Sequence, residues 1–186
     1  TTKKQNKQTY LTIGQLQKHH VDFFIIETMS SIDEAVNAVE ALSNFNKKIL
    51  LCFCLLEGDG TKLFSGEDLS KACDQIQIDK ISGLCLNCSQ FEDISKGLDI
   101  LKRYDLPYGA LPNNFQSVKP LKLGMSVDNI KKRNDILIED FVNYSNIWLK
   151  KGCTILGGCC EITPGYINGL NQFLMKNKYN KVNFFN

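Results

Sequence analysis

Two kinds of apolar pattern alternate along the chain. Five short runs are almost unbroken: residues 21–27 (VDFFIIE), 48–56 (KILLCFCLL), 81–88 (ISGLCLNC), 106–113 (LPYGALPN) and 153–160 (CTILGGCC). Runs of this length without strict alternation are expected of parallel strands covered on both faces. The fourth is the least regular. Around them, apolar residues recur three and four apart, the spacing of a helix with one buried stripe.

The helix starts are marked by chemistry. Ser31-Ile-Asp-Glu34 and Ser89-Gln-Phe-Glu92 are capping boxes, Ser65-Gly-Glu-Asp68 opens another helix, and Thr163-Pro164 sets an N-cap before a first-turn proline. The stripes that follow them are Ile32, Ala35, Val36, Val39 and Leu42; then Ile94, Leu98 and Leu101; then Leu69, Ala72, Cys73 and Ile76; then Ile167, Leu170 and Leu174. A helix near 135–151, after a long loop, points Phe141, Val142, Ser145, Trp148 and Leu149 inward. Residues 9–20 read as a leading helix with Leu11, Leu16 and Ile13 inward. His19 and His20 end it, where cations suit the helix dipole and a surface role is expected.

Five strand–helix units in alternation predict a parallel α/β fold, with a doubly wound sheet and a (β/α) barrel as candidates. No Gly-x-Gly-x-x-Gly follows the first run, which removes support for the dinucleotide-binding version. The residues with chemistry sit at the ends of the runs: Glu27, Cys88, Pro112-Asn113 and Cys159-Cys160. The carboxyl edge of the strands is where α/β barrels keep their active residues.

Charge and composition exclude other classes. The 22 basic and 20 acidic residues nearly balance, and no basic stretch is interleaved with aromatics, so no nucleic-acid partner is expected. No apolar run approaches the roughly 18 residues of a bilayer span and no secretory signal opens the chain, so no membrane partner is expected either. The basic residues 1–8 read as a flexible, solvated end. The eight cysteines lie within apolar runs and helices. That placement suits packed or metal-bound thiols in a reducing, cytoplasmic setting better than a disulfide framework.

Side chains alternate along a strand, so Cys85 and Cys88 point opposite ways and make a poor zinc knuckle. Cys85 reads as a packed hydrophobe, as do Cys52, Cys54, Cys73 and Cys153. Cys159 and Cys160 differ, because adjacent residues where a strand breaks into a loop can both turn toward one ion. Gly157 and Gly158 let the backbone approach closely there. With Cys88 they make three thiolates. Three thiolates on Zn²⁺ leave the fourth tetrahedral position open, which is the pattern of a catalytic site. The resulting complex is a weak Lewis acid suited to binding and deprotonating a thiol.

Leu86-Asn-Cys88, Gly157-Gly-Cys-Cys160 and Thr163-Pro164 together resemble the homocysteine S-methyltransferase family, as do Phe24-Ile-Ile-Glu-Thr28, Leu111-Pro-Asn113 and Trp148 with Lys150-Lys-Gly152. The resemblance runs over most of residues 20–175. It implies a (β/α)8 TIM-type barrel, of which this chain supplies about five βα units, the fourth to the eighth. It implies zinc on Cys88, Cys159 and Cys160, with homocysteine as acceptor and S-methylmethionine or S-adenosylmethionine as methyl donor. It gives Glu27 the amino group of homocysteine to hold and Asn113 a part in orienting substrate. Phe91, Glu161 and Tyr166 depart from residues common in the family at those places.

The family's first-strand Asp-Gly-Gly has no counterpart, and at ~30 residues per βα unit three units would complete a barrel. The expectation is a single homocysteine-binding domain over 1–186 lacking those units. Its open sheet edges make a homo-oligomer possible. Two other readings stay open: a non-catalytic zinc-binding remnant, and a structural four-cysteine site using Cys85 or Cys153.

Overall fold

The computed structural model describes residues 3–119, 126, 128 and 130–182. Helix α1 (Lys3–Gln17) precedes five strand–helix pairs: β1 (Phe23–Met29) with α2 (Ile32–Leu42), β2 (Lys48–Phe53) with α3 (Leu69–Gln75), β3 (Gly83–Asn87) with α4 (Phe91–Leu101), β4 (Tyr108–Leu111) with α5 (Ile138–Lys151), and β5 (Ile155–Leu156) with α6 (Pro164–Lys176). The strands pair in parallel in the order β1-β2-β3-β4-β5. A doubly wound sheet reverses its strand order part-way. This one only advances, as the wall of a βα barrel does, and it supplies part of such a wall.

Both faces of the sheet are apolar, which is why the strand sequences run unbroken. On the helix side, Ile49, Leu51, Phe53, Leu84 and Leu86 pack with Ala35, Val39, Ile94, Leu98 and Trp148. On the other side Leu50, Cys52 and Cys85 form a smaller cluster with Leu111 and Ile155. Cys52 and Cys85 are register partners on β2 and β3, and both are buried as expected. On α5, Phe141, Ser145 and Trp148 are buried. The indole of Trp148 stacks on Phe91 at 5.9 Å and donates through Nε1 to Ser95 Oγ at 2.8 Å.

Several elements depart from expectation. Helix α1 begins at Lys3, so residues 3–8 are helical rather than a loose end, and Lys7 pairs with Glu40 of α2 at 2.7 Å. Residues 1 and 2 lie outside the described residues. The buried face of α1 is Gly14, flanked by Tyr10 and Lys18, while Ile13 and Leu16 are exposed. A Cβ at Gly14 would overlap the Phe45 ring and Leu42, so the glycine itself is the point of closest approach. Lys18 then lies over the Phe45 ring, 5.8 Å from its centroid.

Helix α3 starts at Leu69, later than Ser65 implied. Glu67 is used elsewhere: its Oε2 accepts from the backbone N–H of Ile32 at 3.1 Å and thereby caps α2. Ser31 keeps its expected place as N-cap, its Oγ accepting from Glu34 N–H at 3.4 Å. Ser89 does not cap α4, because its hydroxyl donates to Asn87 O at 2.9 Å and accepts from Leu55 N–H at 2.8 Å. In α6 Leu170 is buried and Leu174 packs on the core as expected, but Tyr166 is buried in place of Ile167, which is exposed. β5 is two residues long, since it pairs with β4 alone and then gives way to Gly157 and Gly158. Part of the long loop after β4 lies outside the described residues.

Candidate metal centre

The carboxyl ends of β3, β4 and β5 converge. Cys88 follows β3 directly, and the turn after β5 carries Cys159 and Cys160. The backbone after β4 joins the two: Asn113 N–H donates to Ser89 O at 3.1 Å, Cys159 N–H to Pro112 O at 2.8 Å, and Asn114 N–H to Cys160 O at 2.9 Å. A Cβ on Gly157 would meet the Leu111 side chain at 2.7 Å, and one on Gly158 would overlap Ile162. The two glycines are therefore what lets the cysteine turn lie flat on the strand ends.

The result is a three-sulfur cluster. Cys88 Sγ and Cys159 Sγ each stand 3.8 Å from Cys160 Sγ, and all three sulfurs lie within 4.8 Å of one another. Zinc–sulfur bonds of 2.3 Å at tetrahedral angles would place sulfurs about 3.8 Å apart. Spacing and donor chemistry therefore both fit a soft divalent ion. Among the described residues this is the one group of three potential metal ligands, so neither Cys85 nor Cys153 supplies a fourth sulfur.

Protons are unevenly shared among the three thiols. The nearness of Cys159, then burial, makes the Cys88 thiol hold its own proton far more tightly than usual. The neighbouring Cys88 thiol in turn favours the Cys159 thiolate and brings that pKa down to about 6, against the opposing effects of burial and of Glu27. Cys160 is raised by burial and by the charge on Cys159. A metal ion bound by these thiols would release their protons.

Backbone strain concentrates here as well. Of the five non-glycine residues with positive φ among those described, Thr28 (φ 61), Cys88 (φ 49) and Glu161 (φ 63) are a cysteine of the cluster or immediate neighbours of Glu27 and Cys160. Left-handed backbone in a β-branched threonine is unusual and costs about 1–3 kcal/mol. Such conformations persist where the surroundings impose them.

Glu27 ends in an exposed position on β1, close enough for its charge to act on Cys159. Asn113 is buried, with Nδ2 at 4.0 Å from Cys88 Sγ and Oδ1 accepting from Phe115 N–H at 3.2 Å. Glu161 pairs with Lys132 at 3.9 Å. Tyr166 donates to Ile136 O at 2.9 Å and accepts from Asn114 Nδ2 at 3.1 Å, so it braces the loop that holds Cys160.

Three contributors were not foreseen. Cys54, expected as plain packing, lies beside the cluster: its thiol contacts Cys88 O at 3.6 Å, and burial first, then the cluster's charge, pushes its pKa up to about 11. Ser89 ties the end of β3 to Leu55 beyond β2, and Asn87 ties it to Thr28 near the end of β1. The Asn-Cys pair in the sequence held a signal for Asn87, as an amide set next to a candidate ligand.

A family model described as homocysteine S-methyltransferase matches residues 1–174. A protein named homocysteine S-methyltransferase 2 from Zea mays is 31% identical over 162 residues, covering 83% of this chain and 45% of its own length. A selenocysteine methyltransferase from Astragalus bisulcatus is 27% identical over 161 residues, with 83% and 45% covered. The fold is similar to the metallated form of the homocysteine methyltransferase MmuM from Escherichia coli, with a TM-score of 0.68, 20% identity, and 90% of this chain and 52% of that one covered. The chain spans about half the length of the curated relatives it matches.

Proposed function

Since the chain belongs to the homocysteine S-methyltransferase family, we propose that Cys88, Cys159 and Cys160 hold a zinc ion and that the whole protein transfers a methyl group from an onium donor to the sulfur of homocysteine, giving methionine. The observation that carries this reading is the three-sulfur cluster, in which two of the sulfur–sulfur distances match those expected around a tetrahedral zinc ion. A zinc ion on three thiolates supplies an open fourth position that lowers the proton affinity of an incoming thiol.

The chain's own residues set the rest. Glu27, on the same strand-end edge, offers a carboxylate to the ammonium of homocysteine. Asn113 stands against Cys88 and orients the acceptor sulfur beside it. In the transfer, a lone pair of the acceptor sulfur forms the new S–CH₃ bond while the donor's S–CH₃ bond breaks. The electron pair of that bond stays on the donor sulfur, which becomes a neutral thioether. S-methylmethionine and S-adenosylmethionine have this leaving-group chemistry. All eight cysteines are unpaired, which supports a reducing, cytoplasmic setting. No helix among the described residues is long and apolar enough to cross a membrane.

A second reading is metal and thiol binding without methyl transfer by these residues alone, which supply five parallel strands to the cluster's wall. One assay separates the two. Zinc-loaded protein given homocysteine and either donor should form methionine, and Cys159→Ser should abolish it. Zinc-loaded protein that binds homocysteine and forms no methionine with either donor leaves only the second reading.

A further inference from the structure

The ends of β1 and β3 are tied together by one side chain, across the end of the strand between them. Asn87 is 1% exposed and uses both ends of its amide on one residue: Oδ1 accepts from the backbone N–H of Thr28 at 3.0 Å, and Nδ2 donates to Thr28 Oγ1 at 3.0 Å. Thr28 is the residue held at φ 61. The strand pairing of β1 with β2 shifts register between Ile26 and Met29, on either side of Glu27 and Thr28. The sheet ladder therefore does not fix this pair, and the amide of Asn87 does. Thr28 follows Glu27 directly, and Asn87 precedes Cys88 directly.

Resting on the zinc-and-homocysteine reading above, we propose that Asn87 is a positioning residue: by clamping Thr28 in the left-handed conformation it aims the Glu27 carboxylate at the space in front of the three cysteine sulfurs. One amide thereby sets the distance between the group that takes the acceptor's ammonium and the sulfurs at its thiol end. A threonine with φ free to relax would return to extended backbone, where the following strand direction and the Glu27 side chain both turn. The specificity that results is for thiols carrying an amino group at a fixed distance from sulfur.

Two measurements on Asn87→Ala test this. In cobalt-loaded protein, titration with homocysteine and with 4-mercaptobutyrate, which lacks the amino group, is followed by sulfur-to-cobalt absorption. Wild type should bind homocysteine about 10- to 100-fold more tightly, the value of one hydrogen bond between charged groups. Asn87→Ala should lose most of that preference while its affinity for 4-mercaptobutyrate and its metal content stay unchanged. Asn87→Ala combined with Thr28→Gly, in which positive φ needs no clamp, should regain part of the preference. Equal weakening of both thiols, or an undiminished preference, overturns the proposal.

The second measurement needs no metal and no thiol. The backbone scalar coupling and carbon shifts of residue 28 should report a left-handed Thr28 in wild type and an extended one in Asn87→Ala. An unchanged Thr28 overturns the clamp whatever the ligand data show. Failure of wild type to bind cobalt or either thiol instead overturns the functional reading and leaves the clamp to be judged by this signal.

Discussion

Cys88 Sγ and Cys160 Sγ stand 3.8 Å apart although 72 positions separate them in the chain. Helix α4, strand β4, helix α5 and strand β5 lie between, and the pair meets because parallel strands all end on one edge. The backbone after β4 then sets the spacing through its bonds to Ser89, Cys159 and Cys160.

That dependence predicts a remote effect at Gly109. It faces Ile155 in the β4–β5 register, and an added Cβ would collide with the Ile155 backbone. Gly109→Ala should push β5 away and carry the cysteine turn with it. Metal affinity, measured by competition with a chromophoric chelator, should fall about 10- to 100-fold, the range seen when the support of a ligand is disturbed, with helix content retained by circular dichroism.

Metal-free protein should be alkylated first at Cys159. Its pKa is depressed to about 6, so thiolate is present above that pH and is lost below it, by about tenfold per pH unit. Peptide mapping after brief iodoacetamide treatment across pH 5 to 8 checks this. Cys88 and Cys160 hold their protons more tightly, so metal uptake must displace them and affinity should rise with pH over the same range.

Trp148 should be the costliest single truncation away from the cluster. It is fully buried, stacked on Phe91 and hydrogen-bonded to Ser95. Trp148→Ala should lower unfolding stability by about 3–5 kcal/mol, read from the urea midpoint. Because α5 lies one element away from the cysteine turn, metal stoichiometry in the folded fraction should be unchanged.

Cys54 tests whether nearness to the cluster means ligation. It contacts Cys88 O and Ser89, not the three-sulfur group itself. Cys54→Ala should keep wild-type metal content, whereas Cys159→Ser should lose it.

What could be read from the sequence follows the range of the forces involved. Apolar runs and stripes are local, so the five units, the buried faces of α4 and α5, and the strand-end placement of Glu27, Cys88, Asn113, Cys159 and Cys160 were visible. Contacts made across the fold were not. Nothing local says that Gly14 rather than Leu16 meets Phe45, or that Ser89 spends its hydroxyl on Asn87 and Leu55 instead of capping α4. The positive φ of Thr28 is the sharpest case, because local preference opposes it and a side chain 59 positions away supports it.

Cobalt substitution can show whether Cys88, Cys159 and Cys160 form an open metal site with three sulfurs. Cobalt-loaded protein should show the absorption of three-sulfur ligation, and homocysteine should raise it to that of four. Four-sulfur absorption before any thiol is added, or a spectrum indifferent to homocysteine, would contradict it.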